Sequence, residues 1–140
     1  MILIDTNVIS ELMREAPAPA VLAWFDRRTV EELYLSAVGE AELRTCAAIL
    51  PAGRRRDRLV AAVDAMIVQD FSGRMLAFDS MAARSYAEIA AARRSAGRPI
   101  MEADCQIAAI ARAHGAAVAT RNDTDFDGCG IEVINPWNAR

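Results

Sequence analysis

The sequence predicts an α/β fold of three layers, in which helices cover both faces of a mostly parallel central sheet. Apolar runs of strand length alternate with longer segments of helical periodicity along the whole chain, which is the order expected of a parallel sheet joined by helical crossovers. The first apolar run, residues 1–4, has no polar side, as in a strand buried on both faces. A chain of 140 residues has room for one core, so residues 1–140 are expected to form a single domain.

Proline, glycine and helix-capping residues set the bounds that we expect for the helices and strands in the first half of the chain. A helix should begin near Thr6 or Asn7, each a plausible N-cap, and should end before Pro17. The remaining elements expected there are a helix around residues 21–25, a strand at 33–36, a helix at 38–50 and a helix at 54–71.

The second half repeats the alternation. Asp79 directly precedes a helical pattern and is expected to cap it, and Gly97 and Pro99 should end that helix. The elements expected there are a strand at 74–78, helices from 80 and at 100–114, and strands at 116–120 and 131–134.

Composition excludes several classes of protein. No apolar run approaches the roughly 20 residues of a membrane span, and the first residues lack the basic flank of a signal peptide, so a cytoplasmic location is expected. The three cysteines are widely separated and are expected to be reduced and buried. With His114 as the one histidine, a histidine-based zinc site is excluded.

Arginine is concentrated in two runs, although the net charge is −3. That net charge argues against tight nonspecific binding of nucleic acid by the whole surface. We interpret both runs as solvated ends of helices. Their members are Arg54, Arg55, Arg56 and Arg58, and then Arg93, Arg94 and Arg98.

Two acids break the amphipathic pattern of their helices. Glu42 shares a side with Val38 and Ile49, whereas nearby Glu40 has Arg44 four residues later and is expected to form a surface ion pair.

Asp104 likewise shares a helix side with Ile107 and Ala108, whereas Glu102 lies on a wetter side. A carboxylate on an apolar face is costly without a partner, so Glu42 and Asp104 are candidate functional residues. Alternatively, Asp104 has no functional role and only interacts favourably with the dipole at the N-terminus of its helix.

Asp5 ends the first strand at the edge where open α/β sheets place their ligands, although it alternatively serves only as a helix cap. A polar cluster, residues 120–123, leaves a later strand at the same edge. These side chains offer oxygen atoms, which select Mg²⁺ or Mn²⁺ over Zn²⁺. The sequence therefore predicts a site for a hard divalent cation, provided that the acids converge.

Four segments in this order resemble the motifs of PIN-domain nucleases, especially the VapC and FitB-like toxins of bacterial toxin–antitoxin modules. They are residues 4–11 (IDTNVISE), residues 35–44 (LSAVGEAELR), residues 103–111 (ADCQIAAIA) and residues 119–137, which contain ATRN, DF and VINPW. The resemblance covers essentially the whole chain.

The resemblance implies a PIN fold and a toxin that cleaves RNA with Mg²⁺ or Mn²⁺. It also implies a homodimer and inhibition by a cognate antitoxin of the VapB or FitA kind, with DNA contacted only through that antitoxin.

By position, Asp5, Glu42 and Asp104 match acids of the family's metal site, and Thr6 and Thr120 match supporting hydroxyl positions. Asn122 occupies a place where some members have Asp. Asp123 is taken as the fourth catalytic acid, while Asn122 and Asp125 remain alternatives for the fourth oxygen ligand.

Two other functions stay open on the sequence. One is a catalytically weak binding protein that acts mainly in an antitoxin–DNA repressor complex, and the other is a small-molecule phosphohydrolase. A partner surface is expected on the apolar helix that carries Val21, Leu22, Trp24 and Phe25, with burial of Trp24 and Phe25 in the core as the alternative.

Overall fold

Five parallel strands form the centre of residues 1–138, the part of the chain that the computed structural model describes. Their spatial order is β3-β2-β1-β4-β5, so the first strand lies in the middle. The strands are β1 (Ile2–Ile4), β2 (Leu33–Ser36), β3 (Met75–Leu76), β4 (Ala117–Ala119) and β5 (Val133–Ile134). The predicted sheet and each of its strands are confirmed.

Helices occupy the connections between the strands. Their bounds are α1 (Thr6–Leu12), α2 (Pro19–Asp26), α3 (Ala37–Ala48), α4 (Arg54–Ala65), α5 (Ser80–Ser95) and α6 (Glu102–His114). The helix predicted to run from 54 to 71 is regular only as far as Ala65, since Met66–Asp70 is a π-helical turn. Asp79 caps α5 as predicted, with its side chain accepting a hydrogen bond from the Ala82 amide at 2.9 Å.

The two faces of the sheet carry separate apolar cores. Leu3 packs with residues of α5 and α6 on one side, whereas Ile2 and Ile4 pack with residues of α1 to α4 on the other. Successive side chains of a strand point to opposite faces, so the unbroken apolar run at the start of the chain serves both cores. This confirms the three-layer arrangement.

The apolar cluster of α2 packs largely into the core, which favours the second of the two alternatives given for Trp24 and Phe25. Val21 and Trp24 are fully buried, and the Trp24 ring meets the edge of Phe25 with centroids 5.0 Å apart. Leu22 is the one exposed apolar member of that cluster. The buried side of α2 is therefore occupied by the core, and Phe25 is only partly buried.

Two other predictions of burial need correction. Cys105 and Cys129 are buried as predicted, but Cys46 is exposed. Arg93, expected in a solvated run, is only 7% exposed. Between residues 1 and 138, no helix has both the length and the apolar character needed to cross a membrane.

Candidate active site

Asp5 lies at the carboxyl edge of the sheet, directly after the central strand. Its backbone N–H donates to the Ala119 carbonyl at 2.9 Å, which extends the pairing of β1 with β4. Its side chain is buried and caps α1, with Oδ1 accepting a hydrogen bond from the Thr6 amide at 2.8 Å. The two interpretations of Asp5, helix cap and site residue, are therefore compatible, and Asp5 replaces Thr6 or Asn7 as the N-cap.

Neutral donors hold the other carboxylate oxygen of Asp5. The fully buried hydroxyl of Thr120 donates to Oδ2 at 2.7 Å, and the side-chain amide of Asn7 donates to the same atom at 3.2 Å. Asn7 also accepts a hydrogen bond from the Arg121 amide at 3.2 Å. Burial raises the pKa of Asp5, and the hydrogen bond from Thr120 acts in the opposite direction. These contacts orient the carboxylate without neutralising it.

Asn7 was missed as a site residue. The sequence showed it only as a possible cap, because nothing local reveals that its amide reaches Thr120, 113 positions along the chain, at 3.3 Å. The signal available in the sequence was the position of Asn7, two residues after the candidate acid Asp5 and in the first turn of a predicted helix. That place turns its side chain back towards the strand end.

Glu42 is joined to the first turn of α1. The Thr6 hydroxyl donates to Glu42 Oε1 at 2.8 Å. Ser36, the last residue of β2, caps α3 through the Gly39 amide and so fixes where α3 begins. Thr6 and Glu42, 36 positions apart in the sequence, are thus in direct contact.

The reasoning that selected Glu42 was only partly correct. Val38, four residues before it, packs against the core, but Ile49 is 75% exposed, so Glu42 lies at the border of the buried side of α3. Glu40 forms the predicted ion pair with Arg44 at 2.7 Å, but it is half-buried rather than exposed.

Asp104 lies half-buried in the first turn of α6, and Glu102 is exposed in the same turn, as predicted. Burial raises the pKa of Asp104 to about 6, and the negative charges of Asp5, Asp125 and Glu42 add to the increase. Arg93 acts in the opposite direction. These three charges therefore act on one carboxylate, and Asp104 and Asp125 also line the same small cavity.

Asp125, not Asp123, is the acid from the fourth segment whose charge acts on the others. It raises the pKa of both Asp5 and Asp104. Asp123 instead accepts a hydrogen bond from the adjacent Thr124 amide at 3.0 Å. Both belong to a short 3₁₀ helix, Asp123–Phe126, where positions two apart point in different directions because a turn holds three residues.

Asn122 contributes through its backbone. Its N–H donates to the Thr120 hydroxyl at 3.1 Å, while its side chain is exposed. Of the three alternatives for the fourth oxygen ligand, the structure thus brings Asp125 to the group of acids. We call this group of Asp5, Glu42, Asp104 and Asp125 the acidic cluster.

The acidic cluster fits a hard divalent cation by its chemistry. No ion pair neutralises any of its carboxylates among residues 1–138, and oxygen is the ligand that Mg²⁺ and Mn²⁺ prefer. Burial raises the pKa of the Cys105 thiol to about 11, so it stays protonated. His114 ends α6, ten residues or about 15 Å from Asp104 along the helix axis.

The cluster is not a closed ligand cage. Within residues 1–138 no group of three or more acidic, histidine or cysteine side chains is placed so that together they could hold a metal ion. Of its four carboxylates, those of Asp104 and Asp125 line a common cavity.

A parallel α/β/α domain with acids gathered at the carboxyl edge of its central strand is the class that these features define. The chain matches the PIN domain family over residues 2–130, and it belongs to that family.

Relatives match nearly the whole chain. A protein of Sinorhizobium fredii named VapC ribonuclease Y4jK is 47% identical over 137 residues, covering 98% of both chains. Toxin FitB of Neisseria gonorrhoeae is 42% identical and covers 99% of both chains. A solved structure entitled FitAB bound to a DNA fragment has a TM-score of 0.94 at 41% identity, covering 100% of this chain and 98% of that one.

Proposed function

We propose that this protein is the toxin of a type II toxin–antitoxin module and hydrolyses phosphodiester bonds of RNA with Mg²⁺ or Mn²⁺. The observation that carries the proposal is the acidic cluster at the edge where open α/β sheets bind ligands. The negative charges of its other members act on Asp104, and neutral hydroxyl donors orient Asp5 and Glu42. Membership of the PIN family and the names ribonuclease and toxin given to full-length relatives support it.

The cluster carboxylates would hold the cation, which supplies Lewis acidity, an ionised water and neutralisation of phosphate charge. The chain's own residues prepare that site. Thr120 and Asn7 orient Asp5 and favour its ionised form, and Thr6 keeps one oxygen of Glu42 directed at the start of α1. Asp104, with its raised pKa, is the carboxylate for which a nearby positive charge relieves most repulsion.

The shape beside the cluster favours a polymer over a small molecule. The cavity between Asp104 and Asp125 measures about 80 Å³, whereas pockets for small ligands usually measure about 300–1,000 Å³. A phosphodiester chain lying across an open edge needs no enclosing pocket. This argues against the small-molecule phosphohydrolase.

The partners follow from the same comparison. FitB has been solved in FitAB with DNA, and we propose that this chain likewise binds a cognate FitA- or VapB-like antitoxin and contacts DNA only through it. Inhibition by that antitoxin, a homodimer and a cytoplasmic location belong to the same proposal.

The test is cleavage of RNA by the purified chain with Mg²⁺, Mn²⁺ or EDTA. Removing one group that stabilises developing charge costs about 100- to 1,000-fold in rate, so Asp125→Asn should lose activity by about that factor. Asp123→Asn, two residues away in the same turn, is the matched control and should cleave as the wild type does. Equal loss in both variants, or full activity in EDTA, would contradict the proposal.

The alternative, a protein that acts mainly by binding, makes a different prediction. An Asp125→Asn chain would then repress its promoter together with the antitoxin as the wild type does, and the wild type would show no metal-dependent cleavage.

A further inference from the structure

Arg93 is a buried cation next to the acidic cluster that forms no ion pair among the described residues. Its guanidinium donates instead to backbone carbonyls: Nε to Arg98 at 2.7 Å, and one terminal nitrogen to both Asp125 and Asp127 at 2.9 Å. A buried arginine is costly unless its donors are satisfied, and three carbonyl oxygens accept hydrogen bonds from Nε and one terminal nitrogen of this one.

These three carbonyls tie together two segments that are distant in sequence. Arg98 lies in the turn after α5, whereas Asp125 and Asp127 end the 3₁₀ helix that carries the fourth acid. Further contacts reinforce the tie at the surface, since Arg98 donates to the Thr124 carbonyl at 3.5 Å and approaches Asp127 at 3.8 Å. Arg93 is the buried member of this connection.

The planar, rigid guanidinium group of arginine is suited to joining these three carbonyls. Its N–H donors have fixed directions, so it sets the distance between the carbonyls that it joins. Lysine at the same place keeps the charge but has a single nitrogen on a flexible stem, and it cannot hold all three carbonyls in the same geometry.

We propose that Arg93 is a positioning residue for the metal site, which holds the backbone of Asp125 so that its carboxylate faces Asp5 and Asp104. The inference rests on the function proposed above. It adds that the fourth ligand is held in place by an arginine of another helix, through backbone carbonyls rather than through its own carboxylate.

The experiment measures Mn²⁺ binding by calorimetry, without RNA, for the wild type, Arg93→Lys and Asp125→Asn. Loss of a residue that orients a metal ligand typically weakens affinity by about 10- to 100-fold, and we expect about 10-fold for Arg93→Lys. Arg94→Lys, the exposed neighbour on the same helix, is the matched control and should bind Mn²⁺ as the wild type does. A merely structural arginine would lower the unfolding temperature and leave the affinity of the folded protein unchanged.

The double variant Arg93→Lys/Asp125→Asn provides the decisive comparison. If Arg93 acts through Asp125, the double variant should bind Mn²⁺ no more weakly than Asp125→Asn alone, because the two changes remove one interaction. Wild-type affinity in Arg93→Lys, or losses that multiply in the double variant, would overturn the inference.

Two further controls keep the outcome clear. Arg93→Gln, which keeps side-chain N–H donors on an amide but removes the charge, should show the same loss and replaces Arg93→Lys if the latter does not fold. Failure of the wild type to bind Mn²⁺ would instead refute the proposed function. Weak binding by Asp125→Asn with normal binding by both Arg93 variants would refute this inference alone.

Discussion

Replacing Asp104 with Asn should stabilise the metal-free protein at neutral pH. Its pKa is 3.8 when exposed and about 6 in the fold, so between these values the unfolded chain releases a proton that the folded chain keeps. Folding then becomes less favourable as the pH rises through this window, and the penalty is complete above pH 6. The difference corresponds to at most about 3 kcal/mol. Because Asp104 is partly exposed to water, we expect about 1–3 kcal/mol.

Glu102→Gln is the matched control for this change. Glu102 and Asp104 both lie in the first turn of α6, so each neutral variant loses about 0.3–1 kcal/mol of favourable interaction with the helix dipole. Only Asp104→Asn also relieves repulsion within the acidic cluster. Urea denaturation in EDTA from pH 3.5 to pH 8 should therefore show Asp104→Asn more stable than Glu102→Gln at pH 7, with the difference vanishing near the acidic end.

Bound metal should reverse the order of stability of the wild type and Asp104→Asn. A cation that binds only the folded state stabilises it in proportion to its affinity, so saturating Mn²⁺ should raise the wild type above Asp104→Asn. Two variants with the same stability at every pH, in EDTA and in Mn²⁺, would refute the reasoning that Asp104 belongs to a repelling, cation-binding group.

Two other changes test the account at neighbouring positions. Thr120→Val removes the hydroxyl that donates to Asp5, which should raise the pKa of Asp5 further and move the rise of metal-dependent cleavage to higher pH. A pH–rate profile identical to that of the wild type would show that this hydrogen bond does not matter. Trp24→Ala should destabilise the fold by about 3–5 kcal/mol because the ring is fully buried. Wild-type stability in urea, combined with loss of antitoxin binding, would instead restore α2 as a partner surface.

The fold followed from the sequence because its signals are local and repeated. An apolar strand that serves two cores, an N-cap at Asp79 and a glycine after His114 each mark an element without reference to distant residues. For α2 and α3, the sequence did not reveal which side of the helix stays buried. The burial of Trp24 stayed open and Ile49 was placed on the wrong side, because the neighbours that cover one and leave the other exposed lie elsewhere in the chain.

The sequence identified candidate residues of the site, but not which of them converge. Asp5 and Asp104 were selected by position and pattern, and the structure places both in the acidic cluster. Glu42 joins the cluster for a reason the helical pattern does not contain, namely the Thr6 hydroxyl across the sheet edge. The choice between Asp123 and Asp125 depends on the direction of a single 3₁₀ turn, which composition and spacing do not specify.

The sequence did not reveal the burial of Arg93 for a similar reason. Arg93, Arg94 and Arg98 form one basic run in the sequence, and such runs are usually solvated. Only the fold shows that three carbonyls, two of them more than thirty residues away, surround Arg93.

The central claim is that the acidic cluster is the site of RNA cleavage. Sequencing the 5′ ends of cellular RNA tests this claim most directly. They would be sequenced after brief expression of the wild type, of Asp5→Asn and of Asp123→Asn, without antitoxin. We expect new ends at the same discrete positions for the wild type and Asp123→Asn, and none for Asp5→Asn. The same ends with Asp5→Asn, or no new ends with the wild type, would contradict the claim.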